Sequence, residues 1–191
     1  MSLDTTYLKK IGNDMLDYAA KRREIIKTSD DALHHAKRAI FAMHRDDMIE
    51  AKKKIAESEM LLKSIIKKYG RDDRAKQEGS YKAALEEYVE ASLLYQFLTT
   101  SKIGKVSSIK MPEESYIAGL CDVPGELYRY AIKSATERNI DMVKKCAAMA
   151  GDITGELIEF NLTKYLRNKF DQAKSAVQKI EHVVYELSLR E

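Results

Sequence analysis

Apolar residues recur at helical spacing from the start of the chain: Leu8, Ile11, Met15 and Ala19, then Ile25, Leu33, Ala36, Ile40 and Met43. The spacing predicts helix over residues 3–66. Within it, Thr28-Ser29-Asp30-Asp31 can cap a new helix or mark a bend. Arg45-Asp46-Asp47 predicts the end of one hairpin arm and the start of the next, which runs to Tyr69-Gly70. A polar connector, GRDDRAKQEGS, leads to a helix containing ALEEYVEASLLYQFL over 84–98. Residues 99–111, with Gly104 and Ser107-Ser108 and followed by Pro112, predict a loop. Helices follow over 113–136, 140–150 and 153–189, with Asn168 a candidate break in the last. No run alternates with period two. The pattern predicts an all-α, antiparallel multi-helix bundle.

Composition agrees with that pattern. Of 191 residues only 2 are Pro and 8 Gly, and a 45% hydrophobic content excludes general disorder. The length suits a single domain over 1–191. A net charge of +3 permits nucleic-acid binding without arguing for it. Cys121 and Cys146 have neither metal-type nor disulfide-type spacing, which suits a reducing, cytoplasmic setting. No stretch has signal-peptide character or approaches the apolar length of a membrane span, so no membrane partner is expected.

The helix over 84–98 poses a chemical problem. Glu87 shares a helix sector with Ala91, Leu94 and Leu98, so a face that carries carboxylates continues as an apolar face one turn later. Glu87 and Glu90 stand at i, i+3, and Asp122 and Glu126 at i, i+4. Two facing helices that each bring such a pair can build an oxygen-rich cage for Mg²⁺ or Mn²⁺. The spacing fits an ordinary solvated or ion-paired stripe equally well, and Asp122 can be the N-cap of a helix with Pro124 in its first turn. CDVPGEL (121–127) and GDITGEL (151–157) echo each other, and Asp152 with Glu156 reads as another helix start.

Other groups carry less. His34, His35, His44 and His182 read as surface histidines, and Tyr81, Tyr88, Tyr95, Tyr116, Tyr128 and Tyr130 as core or interface. Basic residues concentrate before the acidic helix, among them Lys67-Lys68, Arg71, Arg74, Lys76 and Lys82. They read either as a polyanion track or as a solvated face balanced by nearby acids.

Three segments together bear a family resemblance. LEEYVEA (85–91), YIAGLCDVPGELYRYAI (116–132) and KIEHVVYELSLRE (179–191) resemble the translin family, as does HHAKRAIFAMHRDD (34–47). In the middle segment Ser115-Tyr116 stands for the family's Asp-Tyr and Val123-Pro124 for its Leu-Thr. The resemblance implies a seven-helix bundle that assembles into closed homo-oligomeric shells, octamers among them. It implies binding of RNA, single-stranded or duplex, and of single-stranded DNA.

Glu87 and Glu90 match the acidic pair of the translin-associated factor X branch, and Asp122 with Glu126 matches the second pair. By that match all four are catalytic metal ligands of a Mg²⁺- or Mn²⁺-dependent endoribonuclease that leaves a 5′-phosphate and a 3′-hydroxyl. The translin branch's aromatic and basic stretch before the helix over 84–98 is missing here, and Lys76 and Lys82 are what remains as counterparts of its RNA contacts. Arg129 is either a phosphate contact or a partner of the carboxylates. Glu86 replaces the branch's usual Gln. The compact length fits a prokaryotic, archaeal member. The alternative is a non-catalytic scaffold that binds RNA or single-stranded DNA.

Overall fold

A computed structural model describes residues 3–189 and contains seven helices, with no strand among those residues. They are α1 (Thr5–His44), α2 (Met48–Tyr69), α3 (Asp73–Gln77), α4 (Gly79–Thr100), α5 (Glu113–Thr136), α6 (Ile140–Ile158) and α7 (Lys164–Ser188). The expected all-α, seven-helix bundle is what the chain forms.

Local chemistry sets most boundaries. Asp4, Asp47 and Asn139 each cap a helix by accepting from the backbone N–H three residues on, at 2.9, 2.9 and 3.1 Å. Asp46 takes a positive φ of 60° in the α1–α2 turn, which Asp tolerates better than most residues. Ser101 ends α4 in the left-handed conformation (φ 56°), and the Gln96 side chain then ties down the following loop by accepting from Gly104 N at 2.9 Å.

Three boundaries differ from the sequence reading. Helix α1 passes through Thr28–Asp31 unbroken, because Ile25, Ser29, Ala32 and Ala36 all bury on one face. Helix α6 does not stop at Ala150. Cys146, Ala150, Ile153 and Leu157 continue one buried stripe, so Asp152 and Glu156 lie exposed inside the helix rather than at a start. The break comes at Glu159–Thr163 instead, and Asn168 stays helical beside Phe170, Ala173, Ala176 and Ile180 on the buried side of α7.

Helix α4 is the axis of the bundle, packing against α1, α2 and α5, while α5 also packs on α6 and α7. It is buried on nearly every side, from Tyr81 to Phe97. Its crossing with α5 is unusually tight. A Cβ on Gly119 would lie 2.5 Å from the Glu86 carbonyl oxygen and 2.7 Å from Val89 Cβ, so only glycine lets the backbones approach this closely. That contact fixes the spacing of the two acidic pairs, which flank it. No described helix is long and apolar enough to cross a membrane.

Candidate active site

The α4–α5 crossing brings Glu87, Glu90, Asp122 and Glu126 into one electrostatic neighbourhood. Asp122 and Glu126 lie three and seven residues beyond Gly119, on the side of α5 turned to α4. Asp122 is not an N-cap. Pro112 occupies that position, and Pro124 sits buried within α5, where it removes one helical hydrogen bond between the two acids.

Each carboxylate meets different company. Glu126 is the best satisfied: His44 Nε2 lies 2.5 Å from its Oε2, and Arg129 Nη1 donates to both oxygens at 3.0 and 2.9 Å. Burial raises its pKa, but the cationic contacts outweigh burial and hold it below the usual Glu value. Asp122 accepts from Lys169 Nζ, which also lies 3.5 Å from Glu86. Burial still leaves the Asp122 carboxyl raised. Glu87 has Lys37 Nζ only at 3.9 Å, and burial raises it too.

Glu90 is the exception. It is 8% exposed and makes no hydrogen bond or ion pair among the described residues. Burial first, then the neighbouring charges of Glu87, Asp122 and Glu126, push its carboxyl well above the ordinary value. A buried carboxylate in that position calls for a proton or a cation.

The donor set is chemically suited to a hard divalent ion, being carboxylate oxygen throughout. As the side chains stand, no three described His, Cys, Asp or Glu residues are gathered as a metal-holding group. The reason is visible: Asp122 is engaged by Lys169, and Glu126 by His44 and Arg129.

The basic residues divide into two places. Lys76 and Lys82 line one cleft of about 550 Å³, walled on its other side by Glu86, Thr163, Lys164 and Tyr165. Tyr165 donates to Glu86 at 2.6 Å, and Lys169 joins Glu86 to Asp122, so the cleft wall is linked to the acidic site through Glu86 and Lys169. Arg129 lies elsewhere, bound to Glu126 with its guanidinium 5.6 Å from the Phe41 ring. The partner role is the one its geometry supports.

Sequence reasoning missed four neighbours. His44 is half-buried against Glu126 and is not a free surface histidine. Lys37 and His44 stand at i, i+7, on one face of α1, which was a readable signal. Lys169 and Tyr165 gave none, since α7 carries many basic and aromatic residues.

The fold and the site define a class of protein: an all-helical bundle whose central helix crossing is lined with acid. The chain belongs to the translin family, whose profile matches residues 20–191. It is 28% identical over 192 residues to an uncharacterised protein of Methanocaldococcus jannaschii, a match covering 94% of this chain and 85% of that one. Among solved structures it is similar to apo-NeC3PO, with a TM-score of 0.84 and 23% identity, covering 97% of this chain and 98% of that one. It is also similar to AfC3PO, with a TM-score of 0.87 and 18% identity over the same shares. AfC3PO in complex with duplex RNA gives 0.85 and 20%, again covering 97% and 98%. At these identities the likeness to the solved structures is one of fold.

Proposed function

We propose that this protein is a Mg²⁺- or Mn²⁺-dependent endoribonuclease of the translin-associated factor X type, acting on RNA within a homo-oligomeric shell. The observation that carries the reading is Glu90, a buried carboxylate with no ion pair among the described residues, set among three further acids.

Glu87, Glu90, Asp122 and Glu126 would hold the divalent cation. A bound Mg²⁺ or Mn²⁺ supplies Lewis acidity and offsets charge on the scissile phosphate. The chain's own residues do the rest. Lys76 and Lys82 draw the phosphate backbone into the cleft that leads to Glu86, a contact without sequence preference. Lys169 and Lys37 temper the negative field that would otherwise repel a polyanion. His44 and Arg129 orient Glu126. Water adds to phosphorus, the 3′-oxygen departs with a proton, and the products carry a 5′-phosphate and a 3′-hydroxyl.

RNA as substrate is supported by the fold that this chain shares with AfC3PO, which has been seen with duplex RNA. Single-stranded RNA and DNA fit the same backbone contacts. Assembly is supported by exposed Leu8, Met15 and Leu16 along the start of α1, and an octamer is the size the family resemblance implies. The two buried, unpaired thiols suit a cytoplasmic setting. One observation favours a non-catalytic RNA or single-stranded DNA scaffold instead: Asp122 is already paired with Lys169 and Glu126 with Arg129.

The test is cleavage of labelled single-stranded RNA with Mg²⁺ or Mn²⁺, with EDTA, and by Glu87→Ala and Asp122→Ala variants of verified assembly. The expected result is metal-dependent cleavage that falls on the order of a hundredfold or more in each variant. RNA binding without cleavage by the unaltered protein would establish the scaffold.

A further inference from the structure

A second cavity, of about 440 Å³, lies between the end of α2, α3, the start of α4 and the loop before α5. Its size falls in the range of small-molecule sites, which are mostly apolar with a few placed polar groups. Ile66, Tyr69, Met111 and Pro112 give it an apolar lining. Two lysines, Lys76 and Lys110, also line it, and both are exposed. Lys110 makes no ion pair among the described residues; Lys76 has only the solvated Asp73 carboxylate at 2.8 Å.

The informative group is Tyr81. It is 7% exposed and lines the cavity, yet its hydroxyl makes no hydrogen bond among the described residues. The other tyrosine there, Tyr69, is satisfied by Glu24. The ring is buried, while the hydroxyl stays within reach of water in the cavity. Here the hydroxyl is an unused polar handle in a cavity lined by apolar groups and two lysines.

That combination specifies a ligand: a flat apolar body with a hydrogen-bonding edge, attached to an anion. We propose that this cavity binds a nucleoside monophosphate unit, its base received among Tyr69, Met111 and Pro112 with its edge on the Tyr81 hydroxyl, its phosphate at Lys76 and Lys110. Lys76 and Pro112 also line the cleft that leads to Glu86, so the two spaces adjoin. The choice of a nucleotide over another aromatic anion rests on the RNA reading of that cleft. The unit can be an unpaired nucleotide of a bound RNA chain or a free mononucleotide, since both present the same base and phosphate.

The test is calorimetric titration of the intact protein with adenosine 5′-monophosphate, ribose 5-phosphate and adenosine, repeated on Tyr81→Phe and Lys110→Glu. The mononucleotide is expected to bind at least tenfold more tightly than either fragment. Tyr81→Phe, which keeps the ring and its packing, is expected to weaken it roughly three- to tenfold, and Lys110→Glu by more. Displacement of a labelled single-stranded RNA by the mononucleotide would assign the site to the RNA chain; binding without displacement would assign it to the free nucleotide. Equal affinity for mononucleotide and ribose 5-phosphate, or no change in either variant, would overturn the proposal. RNA cleavage is read separately in all variants, so an inactive protein that still binds the mononucleotide would sink the nuclease and spare the pocket.

Discussion

Helix α2 and helix α4 both carry clustered glutamates, and the bundle treats them in opposite ways. On α2, Glu57 has Lys54 Nζ at 2.6 Å, Glu50 has it at 3.6 Å, and Glu59 is paired with Lys63. Across from α2, Glu24 of α1 takes Lys68 and Tyr69. Each of these acids has a lysine within ion-pair reach, mostly at i, i+3 or i, i+4. On α4, Glu87 has a distant lysine, and Glu90, the more deeply buried of the two, has none among the described residues. The difference teaches that acidity alone says little. What marks a site is charge left uncompensated where little water reaches it.

The largest effect should come from the glycine that holds the acidic helices together. Gly119→Ala places a methyl group against backbone and a β-branched side chain that have no room to move. Overpacking of this kind costs about 1–3 kcal/mol, and each kcal/mol lowers Tm by roughly 2–4 °C in a chain of this size. The same change should weaken any cation binding at Glu87 and Asp122, measurable by the Tm gained on adding Mn²⁺. An unaltered Tm would remove the tight crossing as the determinant of site geometry.

A smaller effect, of opposite sign, is expected for Glu90→Gln in EDTA. The folded state holds the Glu90 proton to a higher pH than the unfolded chain does. Above the ordinary glutamate value near 4.5, the unfolded chain ionises first and stability falls until the folded carboxyl also ionises. Below that value both states are protonated and the cost vanishes. Glu90→Gln should therefore raise Tm by a few degrees at neutral pH, on the order of 1 kcal/mol, and by nothing below pH 4. A variant less stable at neutral pH would show that Glu90 has a stabilising partner. The smallest effect belongs to the contrasting region: Glu24→Gln, at an exposed ion pair, should leave Tm within experimental error.

Much of this was legible in the chain, and the reasons differ by element. Stripes such as Ile25–Ala36 and Phe170–Ile180 announce helices because burial repeats with the helical period. The Asp47 and Asn139 caps have their own chemistry. The boundary at Glu159–Thr163 was not legible, because Asp152 looks like a cap and nothing local says that Ile153 and Leu157 extend the stripe before it. At the site, the spacing within each acidic pair is a property of one helix and can be read. That Lys169 would reach Asp122, or His44 reach Glu126, depends on how four helices meet, and no local pattern encodes it.

Helix α1 has a mechanical consequence of its own. Forty residues make a rod about 60 Å long, yet burial begins only at Ile25. Toward the start of α1, Tyr18 and Arg22 hydrogen-bond to Glu78, with Arg74 stacked on the Tyr18 ring. The rod is therefore a beam clamped at one end, with Glu78 as its fulcrum. Beyond the clamp, order is transmitted along the axis from turn to turn, since helix growth from an existing nucleus is far easier than starting one. In the unassembled chain this one continuous helix is expected to melt in two ways: its start frays residue by residue, while its base holds until the bundle itself gives way.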